Sequence, residues 1–213
     1  MDAFQFFTKF DQTLLLGLRA SSIEDLLAGI RSVPDSSIYF HTHRFLHQHH
    51  FLSPEPPNDF AYWVTGVLGD DILGEQLWSV DTVQFGSIGD LRAKMIAILE
   101  TQLAEGARRP VCQSGEEFYF MASRLFVLPT GLAARDLDEF AHHLSQVSLS
   151  SIYFHMFDAK LRLKNGETDF SRWFRDVGNA ALADQTRRLD PYSYTLDGLR
   201  QQIIAFVKRY GRH

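Results

Sequence analysis

Ser36-Ser37-Ile38-Tyr39-Phe40-His41 recurs letter for letter as Ser150-Ser151-Ile152-Tyr153-Phe154-His155. Six identical residues, 114 positions apart in a chain of 213, read as one unit written twice. The same offset aligns Phe4 with Phe118, Phe6 with Phe120, Leu14 with Leu128, Gly17-Leu18 with Gly131-Leu132, Ala20 with Ala134 and Val33 with Val147. About a third of the positions from Phe4 to His41 are identical. Beyond the histidine the register slips: Asp59-Phe60 and Trp63 match Asp169-Phe170 and Trp173, and Leu91-Arg92 matches Leu199-Arg200. The slip falls where the first copy carries the segment Phe51 to Asn58 and the second the shorter Lys164 to Thr168. Loops between retained helices are where repeats diverge.

Composition narrows the class. A chain that is 45% hydrophobic and 13% aromatic can build a packed core. No apolar run reaches the roughly 20 residues of a membrane span, and Met1-Asp2-Ala3-Phe4 lacks the basic region of a signal peptide, so cytoplasmic residence and no membrane partner are expected. A net charge of -5 argues against nonspecific nucleic-acid binding. The single cysteine, Cys112, excludes an internal disulfide and reads as an incidental thiol between the copies.

The periodicity is mostly helical. Ser21-Ser22 with Glu24-Asp25 opens a helix carrying Ile23, Leu26, Leu27 and Ile30, which Pro34 stops; Asp136 opens its counterpart with Leu137, Phe140, Leu144 and Val147. The repeated motif opens a second helix, and Asn58-Asp59 and Thr168-Asp169 cap a third, with Phe60, Trp63, Val64 and Val67 matching Phe170, Trp173, Phe174 and Val177 as a core stripe. The last helices run from Ile88 to Leu103 and from Leu196 to Lys208. Thr82 to Phe85 and Tyr192 to Tyr194 read as small strands or extended linkers. The opening segments Phe4 to Leu18 and Phe118 to Leu132 stay open between strand and helix, because Phe118, Phe120 and Ala122 alternate while the Met121 to Leu125 stretch favours helix. The fold expected is mainly α: a tandem duplication of a helical unit, residues 1–107 and 115–213, packed as one body with pseudo-twofold symmetry and with minor short strands. The duplication leaves two oligomeric outcomes, a homodimer or a monomer that has replaced one.

The chemical candidates cluster after the first motif. In His41-Thr42-His43-Arg44-Phe45-Leu46-His47-Gln48-His49-His50, helical spacing puts His43, His47 and His50 at i, i+4 and i+7, on one face. Such a face can clasp zinc or another transition metal if a carboxylate such as Glu55 or Asp59 completes the set. The zinc-protease pattern is absent. The competing reading is a polar or interfacial helix face. Between the copies, His41 is retained as His155, which marks a structural histidine bonded to a neighbouring loop or helix end, whereas His43 and His47 face Phe157 and Leu161. The first copy's polar version then faces solvent or lines a site. The loop around Pro54-Glu55-Pro56-Pro57 holds Glu55 and the following aromatic residues in a fixed presentation, either to start a helix or to bind. His43, His47, Glu55, Asp59 and Tyr62 are the candidate ligand-binding residues. No phosphate loop or nucleophile elbow is present, and Asp70-Asp71 reads as a helix start rather than a catalytic pair.

The stretch Ser36 to Leu46, followed by Leu52-Ser53-Pro54-Glu55-Pro56-Pro57-Asn58-Asp59-Phe60-Ala61 and Trp63, resembles a bacterial family of uncharacterised proteins, domain of unknown function 5752. The resemblance covers most of the chain and implies no catalytic residue. It implies a cytoplasmic protein associated in some members with carbohydrate-active enzymes such as glycosyltransferases. Two functions are carried forward. One is a non-catalytic binding or accessory module for a protein or small-molecule partner, linked to carbohydrate metabolism. The other is a transition-metal-binding protein or metal-dependent hydrolase using His43, His47 and His50.

Overall fold

A computed structural model describes residues 2–48, 58–105, 110–164, 166–190 and 193–211; for residues 45–48 only the backbone is described. The protein is mainly helical with one antiparallel sheet of two strands, β1 (Phe4–Ala20) and β2 (Phe118–Ala134). Both opening segments are therefore strands, and at 17 residues each they are long rather than the minor strands expected. The helical bias of the Met121 to Leu125 stretch yields to the Phe118, Phe120, Ala122 alternation, all three buried on one face. Gly17 and Gly131, paired by the internal alignment, both have positive φ, +71° and +79°. A side chain there would meet no neighbour, so the backbone conformation alone calls for glycine.

Between β1 and β2 lie α1 (Ile23–Ser32), α2 (Asp35–Gln48), α3 (Asp59–Gly66), α4 (Asp71–Trp78) and α5 (Ile88–Ala104). After β2 come α6 (Leu137–Leu144), α7 (Leu149–Tyr153), a π-helical turn (Phe154–Asp158), α8 (Ala159–Leu163), α9 (Asp169–Asp176), α10 (Ala180–Arg187) and α11 (Leu196–Tyr210). The caps fall where the sequence puts them. Ser22, Asn58, Asp70, Asp136 and Thr168 each accept a first-turn backbone N–H. Thr82 to Phe85 form turns rather than a strand, and Tyr192 lies outside the described residues.

The backbone divides into two compact units. Asp11–Gln48 and Ser53–Arg124 form one; Met1–Phe10 and Leu125–His213 form the other. Each strand thus gives its first half to one unit and its second half to the other. Phe4–Phe10 belongs with α6 to α11, and Phe118 and Phe120 belong with α1 to α5.

The core of the α1–α5 unit gathers Ile23, Leu26 and Ile30 of α1, Phe60 and Val64 of α3, Leu73 and Leu77 of α4, and Leu91, Met95 and Leu99 of α5 around Phe118 and Phe120. Arg92 on α5 donates to Ile30 O and to the Asp35 carboxylate, tying off α1. In the α6–α11 unit, Arg200 does the same for Val147 O, while Phe4 and Phe6 pack against Phe140 and Phe170 at ring-centroid distances of 5.4 to 6.4 Å. Buried Lys9 pairs with Asp158 at 2.9 Å and sits over the Tyr153 ring. The internal alignment gives Ser123 and Arg44 at these two places. Lys9 therefore matches the α6–α11 unit and would meet a like charge, Arg44, in the other.

Gly29, buried inside α1, is where the Phe120 ring lies; a β-carbon there would overlap the ring. Alanine ordinarily favours a helix over glycine by about 1 kcal/mol. Here Gly29→Ala is expected to destabilise by about 1–3 kcal/mol, because the ring is wedged among Phe118 and His41 and cannot step aside. Urea unfolding reads this as a lower midpoint at unchanged slope; an unchanged or raised midpoint would show that Phe120 does not hold this position.

Candidate functional site

The repeated histidines occupy equivalent settings. His41 on α2 is 1% exposed; its Nδ1 lies 2.8 Å from Asp59 Oδ2, and the Met121 backbone N–H donates to its Nε2 at 3.0 Å. His155 is 2% exposed; its Nδ1 lies 2.7 Å from Asp169 Oδ2, and the Phe7 N–H donates to its Nε2 at 2.9 Å. An acceptor Nε2 leaves the ring proton on Nδ1, facing the carboxylate. Each histidine joins three pieces: its own helix, the first turn of the next helix, and one strand backbone. In the second setting Ser151 Oγ also donates to Phe7 O at 2.6 Å, so both backbone groups of Phe7 are held by motif residues one helical turn apart. The sequence pointed to a loop or helix end as the ring's partner; the structure supplies a helix start on Nδ1, Asp59 or Asp169, and in addition a strand amide on Nε2.

The surrounding rings repeat as well. Phe118 packs on His41, Phe60 and Trp63 at centroid distances of 4.7, 5.2 and 5.8 Å. Phe4 packs on His155, Phe170 and Trp173 at 5.0, 5.4 and 5.7 Å. Trp63 Nε1 donates to Glu116 O, and Trp173 Nε1 to Asp2 O.

The other candidates from the sequence separate. His43 is buried, 1% exposed, stacked on Tyr39 with 13° between the rings, and its Nδ1 lies 2.9 Å from Thr42 Oγ1. It does not face solvent. His47 lies on α2 with its side chain outside the described residues, as are His50 and Glu55 altogether. Asp59 is engaged with His41, and Tyr62, 60% exposed, stands one turn further along α3. Among the described residues no group of three His, Cys, Asp or Glu side chains is placed to hold a metal ion.

In the α6–α11 unit a surface cavity of about 370 Å³ opens beside His155. One face of α9, Asp169, Arg172, Trp173 and Asp176, lines it against the start of β1, with Arg162 at its edge. Arg162 donates to Asp169 at 2.6 Å and covers the Phe154 ring. Asp169 therefore serves both His155 and Arg162, while Arg172 and Asp176 add a donor and an acceptor to the cavity wall. The apolar spacing of α9 was legible as a core stripe. Its polar side held the missed signal: Asp169, Arg172 and Asp176 recur at i, i+3 and i+7, where the aligned positions of α3 are Asp59, Tyr62 and Gly66.

Burial holds the His155 imidazole below its ordinary value of 6.5, against Asp169, which favours the cation. Protonating Nε2 would also set two donors, that ring N–H and the Phe7 amide, against each other. Between the folded value and about 6.5 the unfolded chain binds the proton more readily, so this contribution is complete above about 6.5 and is lost as the pH falls through that window. His155→Phe is expected to cost about 2–3 kcal/mol at pH 7.5, since the Phe7 amide and Asp169 lose a partner, and to flatten the loss of stability between pH 7 and 5. Thermal melts across that range test it; a variant with the wild-type pH slope would remove His155 from the account.

The comparisons with known proteins agree with this architecture. No curated protein matches the chain. Among solved structures it is similar to the structure of OrfY from Thermoproteus tenax, with 28% identity and a TM-score of 0.84, over 100% of this chain and 97% of that one. Residues 1–208 match a family of unknown function, DUF5752. The chain belongs to the DUF5752 family.

Proposed function

We propose that the protein is a non-catalytic binding or accessory module in the cytoplasm, serving carbohydrate-active enzymes such as glycosyltransferases. One observation carries the non-catalytic part: both ring nitrogens of His41 and of His155 are engaged, one with a carboxylate and one with a strand amide. A general acid or base needs a nitrogen within reach of substrate, and these face the protein's own backbone. The repeated residues that would tempt a catalytic reading are thereby assigned to architecture. The link to carbohydrate metabolism rests on the family resemblance. We further read the chain as a tandem duplication, copies 1–107 and 115–213, whose opening strands are shared between the compact units. The shared motif, the paired glycines and the equivalent histidine settings support this.

Binding falls to surfaces beside the histidines. In the second copy that is the α9 cavity; in the first it is Asp59 and Tyr62 with His47 and Glu55, while His43, 1% exposed, lies beneath the surface. A broad hydrolase and transferase screen of the purified protein is expected to show no turnover, and addition of the protein to a glycosyltransferase from the same source is expected to change that enzyme's rate. Turnover by the protein alone would overturn the module reading. An unaffected glycosyltransferase would remove the carbohydrate link. Transition-metal binding by His43, His47 and His50 makes the opposite prediction in a third measurement: untagged protein would carry stoichiometric metal and melt higher with added zinc. Substoichiometric metal and an unshifted melt are expected here.

A further inference from the structure

The middle of β2 departs from the burial pattern of the strand ends. From Leu125 to Leu128 four consecutive apolar side chains are exposed, Leu125 42%, Phe126 44%, Val127 49% and Leu128 51%. Successive strand residues point to opposite faces, so both faces are bare here. Phe10 of β1, 60% exposed, lies beside Phe126 with ring centroids 6.4 Å apart. These five residues belong to the same compact unit. In a sheet of two strands, β2 also presents an outer edge whose backbone groups are a template for another strand. Edges of this kind are commonly guarded by charge, yet no charged residue occurs from Leu125 to Ala134.

We infer that this stretch is a self-association surface, on which β2 pairs antiparallel with β2 of a second copy about a twofold axis at Phe126, which faces its own copy. The five side chains present roughly 400 Å² of apolar surface, within the range of functional patches on monomers. Edge pairing covers the flanks of the roughly 800 Å² that two copies present, and with the paired backbones this suits a weak dimer at the low end of specific interfaces. The segment also suits itself. About that axis Leu125 falls opposite the partner's Val127 and Arg124 opposite the partner's Leu128, so no like charges meet. Pro129 lacks an N–H and ends the pairing, which confines it to the apolar stretch. The inference does not rest on the accessory role.

Sedimentation equilibrium of the full chain, from about 1 to 200 μM to bracket a micromolar Kd, tests it. The wild type is expected to pass from monomer to dimer over that range. Phe126→Lys and Val127→Lys, at exposed positions on opposite faces, are expected to stay monomeric throughout with wild-type melting curves; should one melt early, the other decides. A wild type that remains monomeric overturns the inference, whether or not a different protein covers the ribbon. A dimer that survives both lysines overturns it equally.

Discussion

The backbone amides of Phe7 and Met121 are the points on which the architecture depends. Each sits on a strand half that lies within a helical unit, and each finds its acceptor in a buried imidazole that a carboxylate orients from the far side. A buried N–H without an acceptor costs about 1–3 kcal/mol, and a buried imidazole without partners costs as much again. Joining the two satisfies both groups and sets the strand's height against the helix. The phenylalanine pairs Phe4-Phe6 and Phe118-Phe120 then enter the cores in register. Asp59 and Asp169 complete the arrangement from the first turns of α3 and α9, where the helix dipole favours a carboxylate.

The two settings are built alike and finished differently. The helix of the second motif widens into a π-helical turn at Phe154–Asp158, with His155 inside it, whereas α2 runs as an ordinary α-helix through His41. Asp169 takes Arg162 as a second partner, and Ser151 adds a bond to Phe7 O. In the first setting Ser37 Oγ is buried without a hydrogen bond. Arg162 and Asp169, joined at 2.6 Å, both border the α9 cavity.

Much of the fold was legible because caps, periodicity and the repeated motif agree. Ser22, Asn58, Asp136 and Thr168 announced helix starts that the structure bears out. The strand length was not legible, since the middle of β1, Gln12 to Leu18, is largely exposed and shows no clean alternation. Nor was the membership of the strand halves, because it depends on contacts more than 100 residues apart, such as Phe7 with His155. At the candidate site the internal alignment of the sequence pointed to His41 and His155 as architecture, and of the two outcomes it left for His43, facing solvent or lining a site, burial on Tyr39 removes the first. A stacked, hydrogen-bonded imidazole can occupy an interior position such as the one Phe157 fills at the aligned place, and polarity alone does not reveal this. The α9 cavity was missed because a core stripe on one side of a short helix drew the reading away from the charges on the other.

The most direct test of the account is nuclear magnetic resonance of the histidine ring nitrogens in ¹⁵N-labelled protein. His41 and His155 are expected to be Nδ1–H tautomers, with scalar couplings across the hydrogen bonds from the Met121 and Phe7 amide nitrogens to their Nε2 atoms. Rings that carry the proton on Nε2, or exchange freely between tautomers without such couplings, would contradict it.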